Sequence, residues 1–431
     1  MQVIGRAILR GMKDRELYAQ ILGIGPPWAV SDVELDVKDG SVEVHVDARD
    51  AKKLPCPECD KTCPRYDHRA RRWRHLDTCQ FRTILVAEVP RVECPEHGVH
   101  QVKVPWGEEG SRFTALFEAV AIDWLREASL SAVSRRLQLS WSEVAGIQKR
   151  AVARGLARRP ALKLSRIGID ETSFQKRHEY VTAVSDSTTG DVVYVADGRK
   201  KESVEGFYES LTPTQLEAIE VVAMDMAGPY ISATRDHVPD ADDKIAFDRF
   251  HVAKLLGDAV DKVRRDEHRA FMKDGDWTLK GSKYLWLKNP ENLDAAVADS
   301  TFEILKGMAL KTARAWAIKE HARFLWHYVS RAWAKRAWTK WIGWAMRSKL
   351  EPIKKAARTI RKRLRGILNA IVLGATNATA ESLNAKIQRV KRMACGFRNR
   401  KRFRNAIYFH LGGLDLYPDG YLLSPCTHTR V

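Results

Sequence analysis

Short apolar runs separated by turn residues alternate with helical patterns after residue 160, and they predict a mixed α/β domain. Five of these runs predict strands, in the segments 165–172, 179–190, 191–199, 218–226 and 244–252. Helical spacing in residues 201–211 and after Gly228-Pro229 places helices between the later strands. The order βββαβαβ is that of an RNase H-like fold, in which helices flank a mixed sheet.

A break in helical spacing between residues 111 and 157 predicts a helix-turn-helix. Ser140 is expected to cap the second helix, and Glu143 three residues later completes a capping box. The outer face of that helix carries side chains suited to a DNA major groove, namely Ser142, Gln148, Lys149 and Arg150. A plain helical hairpin that packs against another element is the alternative.

The same patterns predict a multi-domain chain. Its expected regions are an N-terminal segment 1–51, a zinc-binding domain 52–104, a helix-turn-helix domain 105–160, the first part of the RNase H-like core 161–252, a helical Trp-rich insertion 253–370, the last core helix with a basic segment 371–410, and a C-terminal tail 411–431. The insertion holds eight of the 13 tryptophans, which either stack on unpaired bases or, as we favour, pack its own core.

Charge points to a nucleic acid as the partner. The 431 residues carry a formal net charge of +19, and residues 351–410 hold 16 Lys or Arg against two acids. From this stretch we expect DNA contacts by Arg361, Arg363, Lys386, Arg389, Lys391 and Arg392. No apolar run approaches the roughly 20 residues that span a bilayer, so a cytoplasmic location without membrane contact is expected.

Cysteine spacing predicts a structural zinc site. Cys56-x-x-Cys59 and Cys94-x-x-His97 are two pairs that can each supply two ligands from one tight turn. His100 is the alternative fourth ligand, and Cys63 and Cys79 are spare candidates. The competing interpretation is a set of scattered reduced thiols beside a surface histidine.

Three carboxylates are candidates for a site that binds hard divalent cations. Asp170 and Asp225 each end an apolar run, and Glu381 lies in the helical pattern of residues 378–392. Two metal ions held by such acids can promote in-line displacement at phosphorus. Glu171 competes with Asp170 and Asp248 with Asp225, while His251 and Asn384 are possible accessory residues.

The segments GIDE, VVAMDM, AFDRFHV and TNATAESLN resemble the DDE transposases of bacterial insertion sequences, and the finger, helix-turn-helix and core follow one another as in the ISL-three family. The resemblance implies that Asp170, Asp225 and Glu381 are catalytic and bind Mg²⁺ or Mn²⁺, with two ions per site. It further implies cleavage at terminal inverted repeats of double-stranded DNA and strand transfer without a covalent protein–DNA intermediate. A homodimer or higher multimer, associated with the bacterial nucleoid, would join two ends. Family members often have cysteine where this chain has His97.

Two other functions stay open. A DNA-binding regulator with a catalytically inactive core would account for the finger, the helix-turn-helix and the charge, but not for Glu381. A tyrosine recombinase would use Tyr408 near Arg402 and Arg404, and it would attach covalently to DNA without needing a metal.

Overall fold

The computed structural model describes residues 14–48, 52–175, 179–292, 303–308, 310–375 and 378–419. The chain divides into two units, one formed by Met1–Arg159 with Leu414–Val431 and the other by Pro160–Gly413. Within the described ranges, no helix is both long enough and apolar enough to cross a lipid bilayer.

The first unit contains a six-stranded sheet that follows a short helix. Its elements are α1 (Asp14–Ile21), β1 (Trp28–Asp36), β2 (Ser41–Ala48), β3 (Lys53–Pro55), β4 (Thr62–Arg74), β5 (Arg82–Cys94) and β6 (Gly98–Gln101). The strands lie in the order β1-β2-β5-β4-β3, with β6 paired to β5. Apolar and polar residues alternate on both sides of Asp39-Gly40, a pattern that predicts a β-hairpin. β1 and β2 do pair antiparallel across this turn, in which Gly40 has a φ of +65°.

The sheet extends across the expected boundary at residue 51, because β2 pairs in parallel with β5 from Ser41 opposite Arg82 to Asp47 opposite Glu88. Val44 and Val46 of β2 are fully buried in the same core as Leu85 of β5. Residues 28–48 therefore belong to the sheet that carries the cysteine pairs. A separate N-terminal segment would leave the apolar face of this hairpin in water.

Three helices complete the first unit, α2 (Ala115–Glu127), α3 (Leu130–Leu137) and α4 (Trp141–Ala157). The capping box of Ser140 and Glu143 is present at the start of α4. Residues 414–419, which belong to the expected tail 411–431, lie against α4, and Arg158 donates to the carbonyl oxygen of Tyr417 at 2.6 Å.

The second unit is built on a five-stranded sheet with the RNase H-like arrangement. Its first elements are β7 (Arg166–Gln175), β8 (Glu179–Asp186), β9 (Val192–Asp197), α5 (Glu202–Glu209), α6 (Pro213–Glu217), β10 (Val221–Met224), α7 (Gly228–His237), α8 (Ala241–Lys244) and β11 (Ile245–Phe247). The strand order is β11-β10-β7-β8-β9, and β10 is parallel to both β7 and β11. The predicted fold class is thereby confirmed.

The predicted fifth strand is shorter than expected. It ends at Phe247, because the Asp248 side chain accepts a hydrogen bond from the backbone N–H of Phe250 at 2.8 Å and caps a helix. That helix, α9, runs over Arg249–Lys273, so the expected start of the insertion at residue 253 falls inside one continuous element.

Helices make up the rest of the second unit. They are α10 (Lys283–Leu287), α11 (Glu303–Gly307), α12 (Lys311–Phe324), α13 (Arg331–Arg347), α14 (Glu351–Lys362), α15 (Leu364–Val372), α16 (Ala378–Met393) and α17 (Arg400–Leu411), with 3₁₀ turns at Pro290–Asn292 and Leu325–His327. Trp286, Trp338 and Trp341 are fully buried, which confirms for these three that they pack the core. Leu383 of α16 and Phe403 of α17 cover the opposite face of the sheet from α9.

Candidate functional site

Three aspartates stand side by side at one edge of the second sheet. Ile169 of β7 lies opposite Met224 of β10, and Met224 lies opposite Phe247 of β11. An aspartate follows each of these three residues in the chain. Asp170 within β7, Asp225 just after β10 and Asp248 just after β11 therefore occupy neighbouring positions, which we call the carboxylate row. Carboxyl ends of adjacent parallel strands are a frequent place for active-site groups in α/β folds.

Asp170 is half-buried and is held by two hydrogen bonds. Its Oδ1 accepts the backbone N–H of Glu171 at 2.7 Å, and its Oδ2 accepts the side-chain amide of Asn384. Burial raises the pKa of Asp170 to about 6, and the negative charges of Glu171 and Asp225 act in the same direction. A cation placed here would relieve both effects.

Asp225 is half-buried and accepts the backbone N–H of Ala227 at 2.9 Å. Asp248 is 4% exposed, and its Oδ2 lies 3.5 Å from Nε2 of His251. His251 is close enough for its charge to favour the ionised form of Asp170. Asp248 is the alternative to Asp225 as a metal ligand, and its carboxylate also has a structural function as the cap of α9.

Helix α16 reaches the row through its amide side chains. Asn384 donates to Asp170, and one turn later Gln388 donates to the Thr172 hydroxyl at 3.0 Å. Glu381 lies one turn before Asn384 on this helix, and its side chain lies outside the described residues. Its role as third acid therefore stays a prediction.

Pattern alone missed the partners of Glu171, the residue that follows Asp170. Its Oε2 accepts the hydroxyl of Tyr230 at 3.2 Å, and Arg199 lies 3.8 Å from its Oε1. Burial and the charge of Asp225 raise the pKa of Glu171. The alternation of β7 could have placed Thr172 on the side of Asp170, but no local signal points to Tyr230.

The first unit brings together the four predicted zinc ligands. One ligand atom each from Cys56, Cys59, Cys94 and His97 lies within 4.8 Å of the others. Backbone N–H donation by Glu96, with the His97 ring, lowers the pKa of the Cys94 thiol to about 6. A depressed thiol pKa suits a metal ligand, which must be a thiolate.

The alternative zinc ligands do not join this cluster. His100 uses its Nε2 to bond the carbonyl oxygen of His97 at 2.7 Å. Cys63 donates to the carbonyl oxygen of Lys61 at 3.3 Å, and Cys79 is exposed. His97 thus lies in the cluster of possible ligand atoms and His100 lies outside it.

The second helix of the helix-turn-helix meets the predicted groove-facing set only in part. Ser142 and Lys149 are exposed as expected. Gln148 is 5% exposed, and Arg150 forms an ion pair with Glu118, whose side chain is itself buried. The expected outward position of Gln148 is wrong, because Gln148 lies on the face of α4 that is buried with Val144 and Ala151.

Comparison with known proteins covers all three parts of the chain. A family model described as transposase matches residues 167–407. A zinc-finger model of the IS204, IS1001, IS1096 and IS1165 transposases matches 52–97, and a helix-turn-helix model of transposase family ISL3 matches 102–152. The chain belongs to the ISL3 family of insertion-sequence transposases.

Two curated relatives are similar to this transposase over most of their length. The transposase for insertion sequence element IS1557 of Mycobacterium tuberculosis is 30% identical over 419 residues, which cover 90% of this chain and 93% of the relative. The transposase for element IS1001 of Bordetella parapertussis is 28% identical over 359 residues, covering 82% and 87%. The expected resemblance is confirmed, and with it the class of DDE-type transposition enzymes.

The basic residues predicted near the end of the transposase core differ in their surroundings. Arg361, Lys386, Arg389 and Arg392 are exposed. Lys391 donates to the carbonyl oxygen of Ser173 at 2.9 Å, and Arg363 is half-buried. The hydroxyl oxygen of Tyr408 accepts the backbone N–H of Val195 at 2.9 Å, and its half-buried ring packs against the core.

Proposed function

We propose that this transposase cleaves DNA at the terminal inverted repeats of its element and joins the freed end to a target, using divalent ions held by Asp170, Asp225 and Glu381. The observation that supports this most directly is the strand register, which aligns Asp170 with Asp225 at one sheet edge. Bound Mg²⁺ or Mn²⁺ would supply Lewis acidity for in-line displacement at phosphorus.

The residues of the chain itself prepare the site. The amide of Asn384 holds the Asp170 carboxyl in one orientation. Burial removes water from this carboxyl, so that a bound cation would replace the lost solvation of its charge. Asp248 fixes the start of α9 and so places His251 beside Asp170, where its ring can orient a phosphate oxygen or a water. Glu381 would complete the ligand set from α16.

We further propose that Cys56, Cys59, Cys94 and His97 hold a structural Zn²⁺, and that Ser142 and Lys149 of α4 contact the repeat. Tetrahedral binding by three thiolates and one imidazole is a common structural zinc site. Action on two ends at once calls for a dimer or higher multimer on DNA.

The test is a comparison of purified Asp170→Asn, Asp225→Asn and Glu381→Gln variants on a labelled duplex that carries one element end. Each should lower cleavage in Mg²⁺ or Mn²⁺ at least about 10³-fold, because an acid that holds the catalytic ion has no substitute, with end binding unchanged. Asp258→Asn, an exposed carboxylate of α9, is the matched control and should cleave normally.

The outcome also separates this function from the regulator. Wild-type binding to the end without any Mg²⁺- or Mn²⁺-dependent nicking would favour a regulator with an inactive core. Normal cleavage by all three acid variants would show that the chemistry lies elsewhere.

A further inference from the structure

Four basic side chains line a small pocket at the β11 edge of the sheet in the second unit. They come from α7 and from the junction of α14 and α15, and they are Arg235, Lys362, Arg363 and Arg365. The floor is apolar, since Ile231, Ile245 and Phe247 are at most 4% exposed. A space of about 50 Å³ accommodates a few water-sized groups, such as the oxygens of one phosphate.

Two of the four cations already have partners. Asp242 pairs with Arg235 at 2.7 Å, and Asp243 pairs with Arg365 at 2.7 Å. Lys362 and Arg363, by contrast, form no ion pair within the part of the chain that the structure describes. Burial, together with the charge of Arg235, lowers the pKa of Arg363, whereas Asp225 acts in the opposite direction. Cations gathered over an apolar floor call for an anion.

The pocket is built rigidly onto the strand that carries the carboxylate row. A Cβ atom on Gly366 would lie 2.5 Å from the Phe247 ring, so the glycine lets α15 approach β11 closely. Arg363 immediately precedes α15, and its guanidinium lies 6.0 Å from the centroid of the same ring. Phe247 is followed directly by Asp248 of the row. The pocket therefore cannot shift far without moving β11.

We propose that this pocket binds a backbone phosphate of the DNA strand that enters the carboxylate row, and that Arg363 is the residue that touches it. The proposal rests on the proposed function, because it takes DNA to be the molecule at the row. The chemistry required is a phosphate oxygen within reach of a guanidinium. A free phosphate ion offers the same chemistry, but the proximity of Arg363 to Asp225 favours a phosphate that belongs to the substrate.

Binding measurements can test this without relying on cleavage. The probes are duplexes of the element end, each with one uncharged methylphosphonate linkage near the cleavage position, bound by the full chain without added Mg²⁺ or Mn²⁺. For the wild type, one linkage should weaken binding roughly tenfold, as expected for a charge-assisted hydrogen bond. Arg363→Gln should weaken binding to the unmodified duplex by a similar factor. The methylphosphonate at that linkage should cause no further loss of affinity in this variant.

Two further variants keep the result interpretable. Lys362→Gln, at an exposed position of the rim, should give a smaller loss at the same linkage, and it tests the pocket even if Arg363→Gln folds poorly. Lys355→Gln removes an exposed charge from the same helix α14, and it should retain the full sensitivity of the wild type.

The proposal would be overturned if, in both pocket variants, every methylphosphonate linkage still lowered the affinity by the same factor as in the wild type. It would also be overturned by stabilisation of the wild type, but not of Arg363→Gln, by inorganic phosphate without any linkage-specific effect, since the pocket would then serve a free ion. Failure of the acid variants to abolish cleavage leaves these binding results unchanged, so the two proposals fail separately.

Discussion

Asp170 is buried beside two other carboxylates, and its pKa of about 6 makes protons compete with metal ions for it near neutral pH. Because the pKa is raised, the carboxyl is protonated below pH 6 and ionised above it. Ionisation is less favourable in the metal-free site than in water, and a bound cation makes it more favourable.

We therefore expect the Mg²⁺ concentration that gives half-maximal cleavage to rise as pH falls below about 6, by up to about tenfold per pH unit, as for one proton competing with one ion. Cleavage at a series of Mg²⁺ concentrations between pH 5 and 8 measures it. The Asp258→Asn control should show the same curve as the wild type. A constant requirement across this range would contradict the proton competition.

Single residues were predictable where a local pattern decides them. Asp170 and Asp225 follow apolar runs that are visible in the sequence, although β7 continues past Asp170 to Gln175 and only Asp225 follows the end of its strand. Gln148 was misplaced, because its burial depends on how α4 packs in the first unit. The capping role of Asp248 was hidden by an apolar alternation that seemed to continue the strand through residue 252.

At the level of elements, α15 is joined to β11 by one buried amide. Asn369 is fully buried, and its Nδ2 donates to the carbonyl oxygens of Ile245 at 2.7 Å and Asp242 at 2.9 Å. Its Oδ1 accepts a hydrogen bond from Arg331 at 2.8 Å, which ties α13 to the same place. The helices that follow the strands are thus anchored to the sheet by polar contacts as well as by apolar packing.

Asn369→Ala should lower the free energy of unfolding by about 2–4 kcal/mol, because buried carbonyl groups and Arg331 lose their partner. Urea unfolding of the full chain followed by tryptophan fluorescence measures the change. Val372→Ala, at a position of α15 that is 43% exposed, is the matched control and should cost under about 1 kcal/mol. Equal effects of the two changes would argue against the anchor.

Elements were predictable to the extent that their pairing is local. The hairpin of β1 and β2 and the meander of β7, β8 and β9 follow from turn residues between neighbouring runs. The parallel pairing of β2 with β5 joins segments about 40 residues apart, and no turn signal marks it. Asn369 lies in an apolar helical stretch, where asparagine is only a weak helix former. Nothing in the local sequence indicates that its amide bonds the end of β11.

At the level of the whole molecule, the four proposed zinc ligands lie in the first unit and the carboxylate row lies in the second. Their folding can therefore be perturbed one at a time. The cysteine spacing made the cysteine–histidine cluster predictable, and the expected boundary after residue 160 lies next to the observed division after Arg159. The assignment of the residues from Leu414 onwards to the first unit required the contacts of the folded chain.

Removal of zinc by a chelator should unfold the sheet of the first unit and leave the second unit folded, because structural zinc contributes directly to folding. Hydrogen exchange read by mass spectrometry should show lost protection in β4 and β5 and unchanged protection in β7 and β10. Cys59→Ser should reproduce the loss without chelator. Cys79→Ser, an exposed cysteine outside the cluster, should not, and equal behaviour of the two would argue against the ligand assignment.

The segment 414–419 lies against α4 although the whole of the second unit separates them in sequence. Residues 414–419 are therefore synthesised after Asp170, Asp225 and Glu381, and a fragment that stops before Leu414 lacks this contact with α4. We expect translation products that stop early to lack a finished recognition unit and so to compete poorly for element ends.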